Sequence, residues 1–210
     1  HKNVIRIYDF LAIGGAYAIS MEYFPSHTLC KEIAEQNPMN AKKAITYACD
    51  ICTGMQIAHY QGIIPRDLKP ANILINDEGL LKIVDFGVAA AAASGDTQLT
   101  KTGYVIGSPK YMAPEQILGK KVDIRADIYS LGVMLYEMLA GEPPYTKGDH
   151  MSVMYQHVQG KATALGELND AVSKKLSDIV SKAMSVDKDK RFASMDQLKS
   201  TLEKTAAQLD

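Results

Sequence analysis

The sequence lacks strong net charge, long apolar runs and any cysteine pattern suited to disulfides. Its 23 lysines and arginines nearly balance 24 aspartates and glutamates, so the formal net charge is −1. That balance gives no electrostatic reason to expect a nucleic acid or an anionic membrane surface as the main partner. No stretch approaches the roughly 18 consecutive apolar residues of a membrane span, and the opening His1-Lys2-Asn3 does not resemble a signal peptide. We therefore expect no nucleic-acid partner and no membrane segment in this chain.

The three cysteines are an odd number, which favours reduced thiols in a cytoplasmic protein over a disulfide framework. Cys49 and Cys52 form a C-x-x-C pair, a spacing also found in metal sites and redox motifs. Here the pair lies inside a helical pattern and has no second cysteine pair beside it. We interpret both as ordinary helix residues, in keeping with the tendency of free cysteine to be buried.

A length of 210 residues with 47% hydrophobic side chains is enough for one domain with a buried core. Two apolar runs, 4–13 and 16–23, flank Gly14-Gly15 and predict a β-hairpin. Helical patterns are predicted at 26–36 and 40–60, short strands at 73–75 and 81–84, and further helices at 125–140, 149–159, 171–185 and 194–208. The chain is therefore predicted to be a single, mostly α-helical unit with a few short strands.

One ordered set of short motifs carries most of the functional signal. The segment Pro65-Arg66-Asp67-Leu68-Lys69-Pro70-Ala71-Asn72 supplies an acid, a base and an amide, and Asp85-Phe86-Gly87 follows an apolar strand. After a long loop rich in small residues come Ala113-Pro114-Glu115, then Asp127 in a helical run, then Arg191. Each motif is weak alone, but their order and spacing resemble the protein kinase signature.

The resemblance is to the C-terminal lobe of bacterial serine/threonine protein kinases of the eukaryotic-like, Hanks type, and it covers essentially the whole chain. It implies an α+β fold of the protein-kinase type, with a residual N-lobe hairpin and hinge at 1–24 and a mostly helical C-lobe at 25–210. The bacterial assignment depends on three segments: Tyr111-Met112-Ala113-Pro114-Glu115-Gln116, Gly141-Glu142-Pro143-Pro144-Tyr145 and Tyr155-Gln156-His157-Val158.

The resemblance implies distinct roles within the catalytic loop, 65–72. Phosphoryl transfer develops charge on the γ-phosphoryl oxygens, so the protein mainly positions and neutralises groups. Asp67 would accept the proton of the substrate hydroxyl, and Lys69 would face the transferring phosphate, as is typical of serine/threonine kinases. Asn72 and Asp85 would ligate Mg²⁺, which prefers oxygen ligands. Taken alone, Asp67 and Asn72 would instead be read as a turn capped by its own side chains.

Nucleotide contacts would come from the far end of the hairpin. By resemblance, the hinge is Met21 to Phe24, where the Glu22 carbonyl and the Phe24 amide would hydrogen-bond the adenine of ATP. Leu74 would form the floor of the adenine pocket, and Met21 would guard its rear. Plain core packing is the alternative for Met21 and Leu74.

The segment 85–115 resembles an activation segment. Thr100 and Thr102 lie where kinases of this group phosphorylate themselves, and a threonine phosphate would pair with Arg66 and order the loop. By resemblance, the Ser108 hydroxyl would bridge Asp67 and Lys69. The alternative for 88–107 is a solvated loop of small residues.

Three further residues are expected to be structural. Glu115 and Arg191 are far apart in sequence but form a buried ion pair in this family, and breaking such a pair costs about 3–5 kcal/mol. Asp127 would open a helix and hold the backbone of the catalytic loop.

Two features depart from the family pattern. The glycine-rich loop, strand lysine and helix glutamate of a complete kinase domain are absent, and His1-Lys2-Asn3 resembles the segment that follows that helix. Pro65 stands where kinases usually have histidine, and its missing N–H would leave the carboxylate of Asp127 with the amide of Arg66 alone. By resemblance, the aromatic stack beneath Phe86 would also lose a ring. Both consequences of Pro65 would weaken the catalytic frame without altering the chemical residues.

The leading interpretation is a truncated kinase domain that phosphorylates serine or threonine hydroxyls of protein substrates from ATP, weakly or not at all by itself. The bacterial kinases it resembles are usually tethered to the inner membrane through a later segment, so the parent protein would be anchored there with a cytoplasmic kinase domain. A pseudokinase-like binding or scaffold module is the alternative, motivated by Pro65 and the missing lobe. A small-molecule kinase is a weaker one, since Ala113-Pro114-Glu115 and the helical tail suit a peptide substrate.

Overall fold

A computed structural model of the chain describes residues 1–85 and 108–209. Its strands are β1 (Ile7–Ile13), β2 (Ala16–Met21), β3 (His27–Thr28), β4 (Ile73–Ile75) and β5 (Leu81–Ile83). Its helices are α1 (Leu29–Glu35), α2 (Ala41–Tyr60), α3 (Pro114–Ile117), α4 (Arg125–Ala140), α5 (His150–Gln159), α6 (Leu165–Leu168), α7 (Lys174–Ala183) and α8 (Met195–Ala206). The predicted α+β class, with helices dominating, is confirmed.

Helix α4 forms the centre of the core because it is apolar almost all round. Nearly all of its 16 residues are buried, including Asp127 in its first turn. Gly132 allows α7 to approach closely, since a Cβ at this position would lie only 2.9 Å from the Cβ of Ala183. The helix ends at Gly141, whose φ of 89° is a left-handed conformation that glycine adopts without strain.

Helix α2 packs against α8 and confirms the helix predicted at 40–60. Asn40 caps it, because its side-chain oxygen accepts hydrogen bonds from the amides of Lys42 and Lys43. Cys49 and Cys52 both lie on α2, where burial raises the pKa of the Cys49 thiol to about 12 and that of Cys52 well above its usual value. Both thiols are therefore held in the unreactive, protonated form.

The strands form two separate small sheets. β1 and β2 pair antiparallel around Gly14 and Gly15, whose φ values of 58° and 83° suit a two-residue hairpin turn. β3, β4 and β5 form a second antiparallel sheet. The helix predicted at 26–36 is therefore wrong at its start, because His27–Thr28 pairs with β4 before α1 begins.

The start of the chain also differs from the prediction. Val4, expected to open the hairpin, instead forms an isolated parallel bridge with Ile83 of β5. Backbone hydrogen bonds from Ile5 N to Ile83 O and from Ile83 N to Asn3 O fix this contact. The first residues thus belong with the second sheet. Within the described part of the chain, no helix is long and apolar enough to span a membrane.

Candidate active site

Asp67 and Lys69 contact each other directly in the catalytic loop. Lys69 Nζ lies 3.0 Å from Asp67 Oδ2, and the Asp67 side chain is 52% exposed. A 3-10 turn, Pro70–Asn72, then bends the chain back, and Asn72 Nδ2 donates to the Asp67 carbonyl oxygen at 3.0 Å. The loop is therefore closed by Asn72, as the simple turn interpretation requires, while the Asp67 carboxylate still faces solvent beside a cation.

Asp85 lies next to this loop because Val84, the residue before it, is hydrogen-bonded to the loop. The amide of Val84 donates to the carbonyl oxygen of Asn72 at 2.9 Å, and Asp85 follows at once, exposed and with a φ of 60°. A left-handed conformation is uncommon for a residue other than glycine, and such positions are concentrated at functional sites. The structure thus brings Asn72 and Asp85 together, although they are 13 positions apart in the sequence.

The oxygen atoms available there suit a magnesium ion. Asn72 uses its amide nitrogen toward Asp67, and within the described residues its Oδ1 takes part in no hydrogen bond. Mg²⁺ is commonly held by one or two protein oxygens together with waters and substrate phosphates. Among residues 1–85 and 108–209, no group of three or more His, Cys, Asp or Glu side chains could hold a metal ion. Asn72 and Asp85 therefore provide oxygen atoms of the kind that Mg²⁺ prefers.

The amide and the carbonyl oxygen of Arg66 both form hydrogen bonds to side chains. Its amide donates to Asp127 Oδ1 at 3.0 Å, and its carbonyl oxygen accepts from Gln116 Nε2 at 3.0 Å. Its φ of 62° is again left-handed. Gln116 Oε1 accepts from the amide of Ala113, so one glutamine joins α3 to the catalytic loop. Sequence reasoning missed this role, although Gln116 lies directly beside the Ala113-Pro114-Glu115 motif.

Asp127 has a second donor that the sequence prediction did not include. His59 Nε2 lies 2.9 Å from Asp127 Oδ2, and the two side chains are 6% and 0% exposed. The expectation that Pro65 leaves Asp127 with the Arg66 amide alone is therefore wrong. Burial raises the pKa of Asp127, and the hydrogen bond from His59 is the largest opposing effect. The last turn of α2 thus provides the donor that Pro65 lacks.

Glu115 and Arg191 form a buried, two-pronged ion pair. Both guanidinium-to-carboxylate distances are 2.7 Å, and the Arg191 side chain is fully buried. Arg191 also donates to the carbonyl oxygens of Ser185, Val186 and Arg125. A buried charge with this many partners ties α3, α4 and the segment before α8 together.

The predicted hinge begins at Met21, the last residue of β2, and continues to Phe24, before β3. Within the described residues, neither the Glu22 carbonyl oxygen nor the Phe24 amide takes part in a hydrogen bond, so both are available to a ligand. Leu74 is half-buried in β4. Met21 is 45% exposed, which excludes simple core packing for that residue.

The two threonines predicted to be regulatory, Thr100 and Thr102, lie outside the described residues. Phe86 of the Asp85-Phe86-Gly87 motif also lies outside them. Ser108 is described and precedes the 3-10 turn Pro109–Tyr111. Within the described part of the chain, no hydrogen bond joins its hydroxyl to Asp67 or Lys69, so the expected bridge is absent there.

Comparison with known proteins identifies the family. The protein kinase domain family matches residues 1–202. Serine/threonine-protein kinase PknB of Mycobacterium tuberculosis is 37% identical over 206 residues, which are 96% of this chain and 33% of that protein. A probable serine/threonine-protein kinase of Clostridium acetobutylicum is 36% identical over 198 residues, 94% of this chain and 30% of that protein. The chain thus spans about a third of the length of these curated relatives.

Proposed function

Because this chain belongs to the protein kinase family, among the bacterial serine/threonine kinases, we propose that its protein transfers the γ-phosphoryl group of ATP to serine or threonine hydroxyls of protein substrates. The hydroxyl oxygen bonds to the γ-phosphorus, and the bond from that phosphorus to the β,γ-bridging oxygen breaks. ADP leaves with the electron pair, and Asp67 accepts the hydroxyl proton. Lys69 neutralises charge on the transferring group.

The observation that carries this proposal is the grouping of Asp67, Lys69, Asn72 and Asp85. A base, a cation and two oxygen ligands lie on two segments that the Val84–Asn72 backbone bond joins. Mg²⁺, held by Asn72 and Asp85 with the phosphates, would neutralise the charge that develops on them. A module that only binds partners would have no use for this set.

The test compares Asp67→Ala with Asp85→Ala in the full-length protein that contains this chain. Both variants should lose radiolabel transfer from ATP. Only Asp85→Ala should also lose magnesium-dependent nucleotide binding, because Asp67 contacts the hydroxyl rather than the nucleotide. Equal loss of nucleotide affinity in both variants would contradict the assigned roles, and full activity in either would remove the proposal.

We further propose that residues 1–24 are the remaining hairpin and hinge of an N-terminal lobe, and that 25–210 form the C-terminal lobe. Two observations support this division. The chain spans only about a third of its relatives, and the apolar residues of β1 and β2 are exposed on both faces. The parent protein would supply the nucleotide-covering strands before this chain and an inner-membrane anchor after it, leaving the kinase domain in the cytoplasm.

Regulation by phosphorylation forms part of the same proposal. Phosphate on Thr100 or Thr102 would pair with Arg66 and order the segment around it. Supporting this, the Arg66 Nε atom is buried and has no hydrogen-bond partner among the described residues. A buried guanidinium nitrogen without a partner is costly, and an added phosphate would remove that cost.

The scaffold alternative is weaker in view of the contacts around Asp127. It depended partly on Pro65, which was expected to damage the catalytic frame. Since His59 supplies a second donor to Asp127, the frame keeps both of its hydrogen bonds. Pro65 therefore does not argue for an inactive module.

A further inference from the structure

Lys82 connects the hinge to the strand that precedes Asp85. It lies in the middle of β5, where its neighbours Leu81 and Ile83 are buried on the opposite face. Its ammonium nitrogen lies 2.7 Å from Glu22 Oε1, and the two side chains are 11% and 22% exposed. A lysine side chain this well covered is uncommon, because burial restricts its rotamers and removes water from its charge.

The same ammonium group also contacts the other proposed adenine-binding residue. Lys82 Nζ lies 5.3 Å from the centre of the Phe24 ring, within the range of a cation–π interaction. Within the described residues, Lys82 is thus a side chain of the second sheet that touches both Glu22 and Phe24. Its register partner is Leu74, the proposed floor of the adenine pocket, so the two side chains share one face of the sheet.

Glu22, which is held by Lys82, is also hydrogen-bonded to Arg6 at the start of the hairpin. Its Oε1 also accepts from the amide of Arg6 at 2.8 Å, and its own amide donates to the Arg6 carbonyl oxygen at 2.9 Å. The hydrogen bond from Lys82 is the largest effect that lowers the pKa of Glu22, so this carboxylate is ionised near neutral pH. One carboxylate oxygen therefore joins β5 to the entrance of β1.

We propose that Lys82 is a positioning residue for adenine recognition, which holds Glu22 and Phe24 at a fixed distance from Asp85. The inference rests on the proposed kinase function. Residues 22–26 form no helix or strand, so apart from the Glu22–Arg6 backbone bond the orientation of the Glu22 carbonyl and the Phe24 amide depends on side-chain contacts. Lys82 is three positions before Asp85 on the same extended segment. Lys82 would thus fix the residues that bind the adenine base relative to Asp85, which would bind the phosphates of the same nucleotide through Mg²⁺.

The expected kinetic signature follows from where the restraint acts. Hydrogen bonds to adenine are equally strong in the ground state and in the transition state, because the base does not react. Loss of such uniform binding raises KM for ATP and leaves kcat unchanged. A ligand without adenine should be insensitive to the same change.

The experiment measures KM for ATP, kcat and the inhibition constant of magnesium tripolyphosphate in the full-length protein. Lys82→Met keeps the apolar stem and removes the charge, and it should raise KM about fivefold, which corresponds to about 1 kcal/mol. Its kcat should stay within about twofold, and the tripolyphosphate constant should not change. Lys82→Arg should keep the wild-type KM, since arginine can hydrogen-bond the Glu22 carboxylate and stack on the Phe24 ring.

Lys174→Met is the matched control. It breaks a Lys–Asp pair of the same 2.7 Å length on α7, where the lysine is 88% exposed, so its kinetics should equal those of the wild type. Suppose that the wild type is active and Asp67→Ala is not. An unchanged KM in Lys82→Met then overturns this inference but not the proposed function. Equal weakening of ATP and tripolyphosphate also overturns it, because that indicates general loosening. A wild type without ATP-dependent transfer overturns the proposed function and this inference together.

Discussion

At the scale of single residues, the contacts of Asp127 determine how much stability the fold loses by having proline at position 65. A histidine at position 65 would supply an N–H, and its absence was expected to leave a buried carboxylate short of donors. His59 Nε2 instead occupies Oδ2 of Asp127, and the Arg66 amide occupies Oδ1. Pro65→His is accordingly expected to raise the stability only slightly, because Asp127 already has two donors.

We predict that His59→Ala lowers the free energy of unfolding by about 3 kcal/mol, because it leaves a buried carboxylate with one donor. Pro65→His alone should change the stability by less than about 1 kcal/mol. In the His59→Ala background, however, Pro65→His should recover part of the loss, since the new N–H replaces the missing donor. Urea unfolding of the wild type, the two single variants and the double variant measures the coupling energy between positions 59 and 65.

His150→Ala is the control, because this exposed histidine lies at the start of α5, away from Asp127. Strictly additive effects of His59→Ala and Pro65→His would show that the two positions do not serve the same carboxylate.

His157 determines part of the pH dependence of stability. It is fully buried, its Nδ1 lies 2.7 Å from the Tyr129 hydroxyl, and its ring contacts Tyr145 edge-on. Burial lowers the pKa of this histidine to about 4, whereas an unfolded histidine titrates near about 6.5. Between these values the unfolded chain binds a proton that the folded chain does not.

We therefore predict that His157 lowers the free energy of unfolding as the pH falls from about 6.5, by about 3 kcal/mol at pH 4. Chemical denaturation at several pH values should show that this slope is shallower in His157→Gln, which cannot take up the proton. His150→Gln, an exposed change on the same helix, serves as the control. An identical slope in wild type and His157→Gln would mean that His157 does not titrate in this range.

At the scale of elements, the β1–β2 hairpin differs from the rest of the fold. All seven residues of β1 are exposed, and Tyr17 on β2 is 77% exposed. The Phe10 ring stacks on Tyr17 at 5.5 Å between centroids, but an isolated two-stranded hairpin is only marginally stable in water. Helix α4, by contrast, is buried along nearly its whole length.

We predict that the backbone amides of β1 and β2 exchange with deuterium much faster than those of α4 when this chain is studied alone. The same amides should become protected in the full-length protein, where further strands would cover the hairpin. Hydrogen-exchange mass spectrometry distinguishes these states. Strong hairpin protection in the isolated chain would contradict the proposed division into lobes.

Two of the helix starts with a capping residue were predicted at that residue. Asn40 and Ser194 each accept a hydrogen bond from the first turn of the helix that follows, and the predicted helices began there. Ser173 caps α7 in the same way, but the predicted start at residue 171 was too early. The boundary at His27 was not predictable, because this residue joins β3 only through pairing with Ile75, 48 positions later in the sequence. Local patterns cannot reveal a strand as short as two residues.

At the scale of the whole molecule, the proposed nucleotide contacts come from three parts of this chain. The hinge, Leu74 and the catalytic loop lie on described elements, while the family's glycine-rich loop and strand lysine are absent from the sequence. On the proposed division into lobes, the parent protein would supply that lysine to the α- and β-phosphates, and the 210-residue chain alone would lack this cation. Phosphoryl transfer depends mostly on positioning and charge neutralisation, so this loss should affect the rate strongly.

We predict that the 210-residue chain transfers phosphate at least about 100-fold more slowly than the full-length protein, given the size of typical positioning effects. A radiolabelled-ATP assay on both proteins at equal concentration measures the ratio. Asp67→Ala in each protein gives the background. Comparable rates above that background would show that the chain is sufficient by itself.

The sequence by itself determined the family, the helical core and the candidates for the chemical residues. Apolar spacing specifies which face of α2 is buried, and the ordered motifs from Asp67 to Arg191 indicate the family to which the chain belongs. These features are readable because helical periodicity is local and because phosphoryl transfer needs particular side chains in a fixed order.

Only the tertiary structure decided which groups support the chemical residues. His59 reaches Asp127 across 68 positions, Gln116 reaches Arg66 across 50, and Lys82 reaches Glu22 across 60. Each of these hydrogen bonds depends on distances of about 3 Å between elements that pack independently. No local pattern encodes such a distance, because it is set by the packing of α2, α3 and β5 against the rest of the core.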